Sequence, residues 1–487
     1  MAGILATVGA LATVIIFWLY RVNCGFKAIP PEVTRASPRR WTKDEIRETY
    51  ERLKRKPLDF LKETPPCLER RYVVVGGSGL VGGDLVLQLL RRGQSPESIR
   101  IVDFSPLNRP DMLEAAAGCD FVKADITSRA SVEAAFSKPW PASVAKKPLT
   151  VFHTAAGIRP QERSPLLYHR ISRVNRDGAV NVLETARAAG ADIFIATSSA
   201  SVSIIPPNFW IWPWQSAPDR YLQIADEKDF DAPLREHHLF FSNYARSKAE
   251  AERAVCGANR EGFRTGTIRP GNPIYGQKTD PVLGILLRQG SSASWIPHVV
   301  QNFVNSRNVS LAHLQFEAAL AETDKPMPRC AGRTFVVTDA GPPPAFLDAY
   351  NAAMQLAATG VTMSYPPPVL LYLVAHVTEA WCLLLARFPF LTAWFGLREP
   401  SGPVHFLQPS VFGVSIHTIV DDSAARRPVE GGGIAYRPAC TTLEGVCQQI
   451  AEWNAEFERG KENGGVGAVK GEGKVAKAGL VAKGVAA

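Results

Sequence analysis

Short apolar runs alternate with helical patterns through the middle of the chain. The runs RYVVV, SIRIVDF, DFVKADI, LTVFHTAA and ADIFIATSSA begin at residues 71, 98, 120, 149 and 191. Between them, apolar residues recur at helical spacing over segments such as 80–92, 130–136 and 177–189. Strands that alternate with helices are typical of an α/β protein with a doubly wound parallel sheet. The pattern therefore predicts such a domain, which we place at residues 71–365.

The first 24 residues form a different pattern, because no charge occurs between Ala2 and Tyr20. A helix over residues 4–20 would be about 26 Å long, which is close to the thickness of a bilayer core. The segment lacks the positive start and the cleavage site of a secretory signal, although a cleaved signal remains the alternative. Arg21 and Lys27 follow it, and by the positive-inside rule they place the rest of the chain in the cytosol. We expect an uncleaved membrane anchor at residues 1–24.

Three further segments flank the predicted α/β domain. Residues 25–70 are rich in charge, and Thr42 with Glu45 fits a capping box that opens a helix running toward Lys56. Such a charged helix has a solvated face or contacts anionic headgroups. Residues 366–458 form a C-terminal substrate-binding or membrane-associated region, and 459–487 form a Gly/Ala/Lys-rich tail that we expect to be disordered.

The C-terminal region contains an apolar stretch at residues 369–386, which is interrupted by His376 and Glu379. It is long enough for a membrane-embedded, an interfacial or a buried core helix. We favour association with the membrane, without assigning a second span.

Composition limits the partners of the protein. The 487 residues are 46% apolar and carry a formal charge of +9, as expected of a globular chain. The basic residues concentrate near 35–56 and in the last 30 positions, so they do not predict a nucleic-acid site. The eight cysteines form no CxxC pair and do not combine with histidines at zinc spacing. We therefore expect reduced thiols and no metal site.

A glycine-rich turn follows the first predicted strand. In VVVGGSGLVGG, Gly76, Gly79 and Gly82 stand between a strand and a helix, where a pyrophosphate approaches the backbone at a helix N-terminus. Asp103 closes the next strand, where a carboxylate binds both ribose hydroxyls and repels a 2′-phosphate. This context predicts a Rossmann-like site that binds NAD in preference to NADP. Asp125, after the third strand, contacts the adenine or is an ordinary loop residue.

Two residues that stand four apart in a predicted helix are candidates for acid–base chemistry. Tyr244 and Lys248 share a helix face, and an adjacent ammonium and a cationic nicotinamide would favour the tyrosine phenolate. The phenolate would take the proton of a substrate hydroxyl. Thr197, Ser198 and Ser199 end the strand of IFIATSSASV, so a hydroxyl there could hold the substrate oxygen. His153 in HTAAG is interpreted as structural.

Taken together, these motifs resemble the extended short-chain dehydrogenase/reductases, and more closely the 3β-hydroxysteroid dehydrogenase family. The resemblance covers roughly residues 70–340, with a weaker match near 433–446. It is carried by the stretches VVVGGSGLVGG, IVDF, HTAA, VNRDGAVNVLETARAAG, TSSASV, ADE, YARSKAEAERAV, IRPGNPIYG, NFVNSRNVSLAH and FVVTD.

The resemblance implies roles for individual residues. Tyr244 would be the catalytic acid/base, Lys248 its partner and ribose ligand, and Ser199 the catalytic serine. Asn175 would support the active-site helix and a proton relay. Arg269 and Pro270 would lead into residues 271–274 beside the nicotinamide. Further contacts to NAD are implied for Leu80, Val81, Ile126 and Ala155.

One insertion departs from the family pattern. The segment 201–242 is long and contains Phe209, Trp210, Trp212 and Trp214. Exposed tryptophans are unfavourable in water, so they are expected either to pack locally or to meet a bilayer or the mouth of an apolar pocket.

These features predict a membrane-bound NAD-dependent dehydrogenase that oxidises the 3β-hydroxyl of a sterol. If the substrate carries a 4-carboxylate, decarboxylation would follow. The alternatives are a 3β-hydroxysteroid dehydrogenase/Δ5-4 isomerase, a nucleotide-sugar epimerase or dehydratase, and an inactive scaffold. We expect the endoplasmic reticulum membrane as the location, with a cytosolic catalytic domain and a homodimer as the candidate assembly.

Overall fold

The computed structural model describes residues 1–321 and 326–462. The strands are β1 Arg71–Val75, β2 Ile99–Asp103, β3 Asp120–Lys123, β4 Leu149–His153, β5 Ala191–Thr197, β6 Leu222–Ala225, β7 Arg264–Pro270, β8 Ile274–Tyr275, β9 Ser291–Ala293, β10 Val304–Asn305, β11 Thr334–Val337, β12 Thr362–Ser364 and β13 His417–Val420. The helices are α1 Ala2–Gly25, α2 Pro31–Ala36, α3 Lys43–Arg55, α4 Leu80–Arg91, α5 Pro110–Leu113, α6 Arg129–Ser137, α7 His169–Ser172, α8 Gly178–Ala188, α9 Lys228–Asp231, α10 Asn243–Gly257, α11 Leu283–Gln289, α12 Ser306–Ala321, α13 Phe346–Leu356, α14 Pro368–Arg387, α15 Phe390–Phe395, α16 Pro403–Phe406, α17 Pro409–Val414, α18 Ser423–Arg426 and α19 Thr442–Glu462.

The central sheet has seven parallel strands in the order β11-β7-β5-β4-β1-β2-β3. The five predicted strands correspond to β1–β5, and the three predicted helices correspond to α4, α6 and α8. The strand order reverses between β1 and β4, and ligands bind at the carboxyl ends of strands at such a switch point. The prediction of a doubly wound α/β fold is confirmed.

Helices cover both faces of this sheet because successive side chains of each strand point to opposite sides. Tyr72 and Val74 of β1 pack with α4 and α12, where Phe316 is fully buried. Val73 and Val75 of the same strand pack on the opposite side with α6 and α8. A strand buried on both faces has to be apolar throughout, which explains the continuous run of valines.

The flanking segments share cores with the α/β domain. The capping box of α3 is present, since Glu45 N donates to Thr42 Oγ1 at 3.2 Å and Thr42 N donates to Glu45 Oε2 at 3.4 Å. However, Ile46, Tyr50 and Leu53 are buried with residues of α13 and α19, so only the outer face of this charged helix is solvated.

The C-terminal region is also attached to the α/β domain, because its strand β13 pairs in parallel with β6.

At the end of the chain, α19 continues to Glu462, so the predicted disordered tail is helical over residues 459–462. The remainder of that tail lies outside the described residues.

Within residues 1–321 and 326–462, two helices, Gly3–Gly25 and Pro368–Arg387, are long and apolar enough to cross a membrane. In α1 residues 3–17 are exposed, whereas Val22 and Phe26 near its end are buried in the protein.

The tryptophan-rich loop packs against the buried end of α1. Phe209 is buried and stacks on Phe26 with ring centroids 4.3 Å apart, and Trp210 stacks on Trp18 at 5.3 Å. Trp212 and Trp214 stack on each other and are 63% and 75% exposed. Part of the loop is therefore locally packed, while the other two indoles face outward.

Candidate active site

The turn between β1 and α4 is compact and depends on its glycines. Gly76 has a φ of +84°, and a Cβ at this position would lie 2.5 Å from the Ala155 nitrogen. A Cβ on Gly82 would lie 2.3 Å from the Gly76 oxygen. Gly79 is the N-cap of α4 and has no side chain to cap the helix. The amides of Leu80 and Val81 in the first turn are therefore available to a phosphate, as in dinucleotide-binding folds.

Asp103 ends β2 beside this turn. Its carboxylate accepts hydrogen bonds from Ser78 N at 3.0 Å and from Ser105 N at 2.9 Å. Burial raises the pKa of Asp103, although these backbone donors favour the ionised form. The carboxylate is thus held next to the glycine turn, where the sequence predicts the ribose of NAD.

The structure places the other predicted cofactor residues on neighbouring loops. Asp125 Oδ1 accepts from both the amide and the hydroxyl of Thr127 at 2.8 Å, so its side chain stabilises its own turn. A Cβ on Gly178 would lie 2.9 Å from Ile126, which shows how closely that loop meets α8. Ala155 N donates to Val75 O at 3.1 Å and lies beside Gly76. Contact of these residues with adenine or nicotinamide stays a prediction.

Tyr244 and Ser199 come together at the carboxyl end of β5. Helix α10 begins beyond the Ser242 cap, whose hydroxyl accepts from Ala245 N at 3.2 Å, and Tyr244 lies in the first turn. The Ser199 hydroxyl is hydrogen-bonded to the Ser201 hydroxyl at 2.8 Å and also accepts from Ser201 N at 3.2 Å. Burial raises the pKa of Tyr244 to about 12, against a smaller opposite effect of the nearby Ser199 hydroxyl. The phenol is therefore protonated at neutral pH in the protein alone.

Lys248 lies one turn farther along α10 and is buried. Its Nζ donates to the Thr197 carbonyl oxygen at 2.7 Å. Burial lowers the pKa of Lys248 to about 8, and the charge of Glu252 opposes that decrease. In the protein alone, burial dominates the pKa of Tyr244. That Lys248 and a bound nicotinamide together favour the phenolate stays a prediction.

Asn175 connects the loop after β4 to the catalytic helix. It lies in the π-helical turn Arg173–Asp177 between α7 and α8. Its Oδ1 accepts from Gly157 N at 2.8 Å, while its Nδ2 donates to Gly157 O and to Ser247 Oγ, both at 3.1 Å. These contacts match the supporting position expected for Asn175, and its part in a proton relay stays a prediction.

The sequence analysis did not identify the buried ion pair between Glu252, one helical turn after Lys248, and Arg269. Arg269 of β7 donates to both oxygens of Glu252, at 2.5 and 2.8 Å, and also to Asp229 at 2.5 Å. Glu252 and Arg269 are each only 1% exposed. The available signal was the spacing of Glu252, four residues after Lys248 on the same helix face. The pair attaches α10 to β7, the strand that Pro270 ends.

His153 is buried at the end of β4, close to Lys248. Burial and the charge of Lys248 lower the pKa of His153 to about 3, so the imidazole stays neutral. This agrees with the structural role predicted for it.

Cys382, Glu399 and His405 offer donor atoms within 4.8 Å of one another, but Glu399 already accepts from Arg170 at 2.8 Å. The prediction of no metal site is therefore left as it stands.

The chain is similar in sequence to proteins named as sterol and steroid dehydrogenases. The chain is 28% identical over 284 residues to the human sterol-4-alpha-carboxylate 3-dehydrogenase, decarboxylating, and the match covers 56% of this chain and 64% of the human protein. It is 25% identical over 406 residues to the 3 beta-hydroxysteroid dehydrogenase/Delta 5-->4-isomerase of Mycobacterium tuberculosis, covering 80% of this chain and 92% of that relative. The first relative is thus spanned over less than two thirds of its length.

A similar fold occurs in a solved UDP-glucose 4-epimerase from Stenotrophomonas maltophila with bound NAD and formylated UDP-arabinopyranose. The TM-score is 0.51 at 16% identity, covering 80% of this chain and 99% of the epimerase. Residues 73–361 match the 3-beta hydroxysteroid dehydrogenase/isomerase family, which confirms the resemblance seen in the sequence. The match includes more than half of the chain, and the protein therefore belongs to the 3-beta hydroxysteroid dehydrogenase/isomerase family.

Proposed function

We propose that the protein is a membrane-anchored, NAD-dependent dehydrogenase that oxidises the 3β-hydroxyl of a sterol. The observation that carries the proposal is that α10 brings Tyr244 and Lys248 to the carboxyl end of β5, where Lys248 Nζ donates to the Thr197 carbonyl oxygen at 2.7 Å. Ser199 lies close enough to Tyr244 to affect the pKa of the phenol. These groups can bind a hydroxyl and accept its proton. The names of the relatives at low identity support a hydroxysterol as the substrate.

The residues of the glycine turn fit NAD. The short approaches at Gly76 and Gly82 leave no room for side chains, and the uncapped start of α4 offers its amides to a pyrophosphate. The Asp103 carboxylate beside them would accept hydrogen bonds from the ribose hydroxyls and repel a 2′-phosphate, which supports NAD over NADP. Bound NAD would supply the acceptor for the hydride that leaves the carbinol carbon.

The protein's own residues would manage the proton. Ser199 would hold the 3β-oxygen, and Tyr244 would remove its proton as the C3 hydride departs, leaving a 3-ketone. Because burial raises the pKa of Tyr244 to about 12, a positive charge has to approach before the phenol becomes a base at neutral pH. Lys248, with a pKa of about 8, would remain an ammonium near neutrality and bind the ribose.

The reaction after oxidation distinguishes two variants of this function. A 4-carboxylate would make the product a β-keto carboxylate, in which the bond between C4 and the carboxyl carbon breaks, carbon dioxide leaves and the resulting enolate takes up a proton at C4 to give the ketone. A Δ5 double bond would instead migrate into conjugation, and the isomerase relative is covered over 92% of its length. We favour oxidation with decarboxylation, because isomerisation needs a further acid/base that none of the site residues described above supplies.

The proposed location is the endoplasmic reticulum membrane, with α1 as the anchor and the α/β domain in the cytosol. The apolar, exposed first part of α1 supports the anchor. A sterol substrate fits this location, because it would reach the enzyme from the lipid. Homodimerisation remains a proposal.

The test uses the purified full-length protein with NAD and a panel of 3β-hydroxysterols with and without a 4-carboxylate. We expect NADH to form with at least one sterol, and carbon dioxide to be released only from 4-carboxysterols. UDP-glucose serves as a parallel substrate for the epimerase alternative. Conversion of UDP-glucose with no oxidation of any sterol would contradict the proposal.

A further inference from the structure

The outward face of α14 is unusual for a helix that lies on a folded domain. Its exposed residues before Arg387 are all apolar: Leu370, Leu373, Val374, Val377, Ala380 and Leu384. Apart from the adjacent pair Leu373 and Val374, successive members lie three or four residues apart, so they form a single stripe along the helix. A helix at the surface of a water-soluble domain normally presents polar residues there. Exposed apolar stripes of this kind mark an interaction surface.

The opposite face attaches α14 to the protein along its whole length. Val369, Tyr372, Cys382 and Leu385 are buried, and at mid-helix the two oxygens of Glu379 each accept from Arg163 at 2.7 Å. A helix that crossed the bilayer on its own would place this ion pair in the hydrocarbon core, where charged groups are unfavourable. The geometry therefore suits a helix that lies at the membrane surface.

The start of α14 lies where α1 leaves the protein. Val369 N donates to Asn23 Oδ1 at 3.4 Å, and Trp210 packs between Trp18 and Tyr372, with centroid distances of 5.3 and 5.0 Å. The Trp18 indole also donates to the Ile211 carbonyl at 2.9 Å. A bilayer crossed by the free part of α1 would begin beside this junction.

Exposed aromatic rings also occur on the loop that packs against α1 and on α15, the helix that follows α14. Trp212 and Trp214 follow the residues that pack on α1, and Trp394 and Phe395 of α15 are 79% and 66% exposed. Tryptophan is enriched at the interface between lipid and water. Arg387 and Arg398 are exposed on either side of α15, where arginine can reach lipid headgroups.

We propose that the outer face of α14, together with α15, Trp212 and Trp214, lies in the interfacial layer of the membrane as a second, non-spanning contact. The inference rests on the proposed anchoring by α1. A lipid bilayer is the occupant that fits best, because the stripe continues from the base of a helix of bilayer length and is bordered by cationic residues. Two contacts would fix the orientation of the domain, which a single anchor leaves free to rotate.

The experiment reconstitutes the full-length protein into phosphatidylcholine vesicles that contain a phospholipid with a diazirine in its acyl chain. After irradiation, mass spectrometry maps the lipid adducts on the peptides. We expect adducts on α14 and α15 as well as on α1. Adducts confined to α1 would overturn this inference and leave the anchor intact, whereas no adducts on either would overturn both. If a separate bifunctional crosslinker joins two copies through α14 and no lipid adducts form there, the surface belongs to a second copy and the inference is overturned.

A variant pair controls for loss of structure. Val377→Glu combined with Trp394→Glu changes two exposed residues, so the fold should be retained while adducts on α14 and α15 are largely lost and those on α1 persist. Leu113→Glu, at an exposed apolar position outside the proposed surface, should leave the adduct pattern unchanged. Equal adduct yields on α14 and α15 in the double variant and the wild type would overturn the proposed membrane contact.

Discussion

Replacing Glu252 with glutamine tests whether the buried ion pair supports both the fold and the charge of Lys248. The substitution keeps the side-chain volume but removes the charge that Arg269 contacts at 2.5 and 2.8 Å. Removing one partner of a buried pair costs about 3–5 kcal/mol, and we expect the lower end because Asp229 still contacts Arg269 at 2.5 Å. The midpoint of thermal or chemical unfolding should decrease accordingly.

The same substitution should change how NAD binding depends on pH. Lys248 binds the ribose as an ammonium in the proposed mechanism, so affinity is full below its pKa of about 8 and is lost as the pH rises through that value. The charge of Glu252 raises the pKa of Lys248. In Glu252→Gln the pKa of Lys248 should therefore fall, and the loss of affinity should begin at lower pH. Calorimetric titration with NAD between pH 6 and 9 measures this change.

Asp229→Asn is the matched control, because Asp229 also pairs with Arg269 but is not among the causes of the Lys248 pKa shift. It should lower stability without moving the pH at which NAD affinity is lost. If Glu252→Gln leaves both stability and the pH profile unchanged, or if Asp229→Asn shifts the profile equally, the proposed link between the ion pair and Lys248 is refuted.

Three further predictions concern single contacts. Asn175→Ala removes the hydrogen bonds to Gly157 and Ser247. If Asn175 serves a proton relay, steady-state kinetics should show that kcat falls by about 10²-fold. An unchanged kcat would exclude that role. Gly82→Ala places a Cβ 2.3 Å from the Gly76 oxygen. Calorimetry should therefore show an NAD affinity at least about tenfold lower, which corresponds to a loss of roughly 1.4 kcal/mol in binding free energy. Wild-type affinity would contradict the claim that the turn has no room for a side chain at this position. The pKa of His153 is about 3 in the folded protein and 6.5 for a free side chain. Between pH 3 and pH 6.5 the imidazole therefore binds a proton in the unfolded state but not in the folded state. The free energy of unfolding should decrease as the pH falls below 6.5. By pH 5 the loss is about 2 kcal/mol, and unfolding of His153→Gln should show a flatter pH dependence than the wild type.

The central fold could be predicted because its signals are local and repeated. The strands β1, β2, β4 and β5 are short, largely buried and mostly apolar runs, and the glycines that follow β1 satisfy a steric requirement of the turn itself. Tyr244 and Lys248 were identified for a similar reason, since helical spacing determines that they share a face.

The features that were missed depend on contacts between distant parts of the chain. Arg269 pairs with Glu252 because β7 lies next to α10, and Lys248 reaches the Thr197 carbonyl across 51 positions of sequence. Burial, which sets the pKa of Tyr244, is likewise a property of the assembled fold. The segment 25–70 looked solvated because its charges are conspicuous, yet the spacing of Ile46, Tyr50 and Leu53 already indicated a buried helix face.

The most direct test of the proposed chemistry is the Tyr244→Phe variant, assayed with NAD and a 3β-hydroxysterol that the wild type oxidises. The variant loses only the phenolic oxygen, so NAD affinity should stay within about twofold of the wild type, while turnover should fall by about 10²–10⁴-fold, as expected for loss of a general base. Sterol oxidation at a rate near that of the wild type would contradict the assignment of Tyr244 as the base.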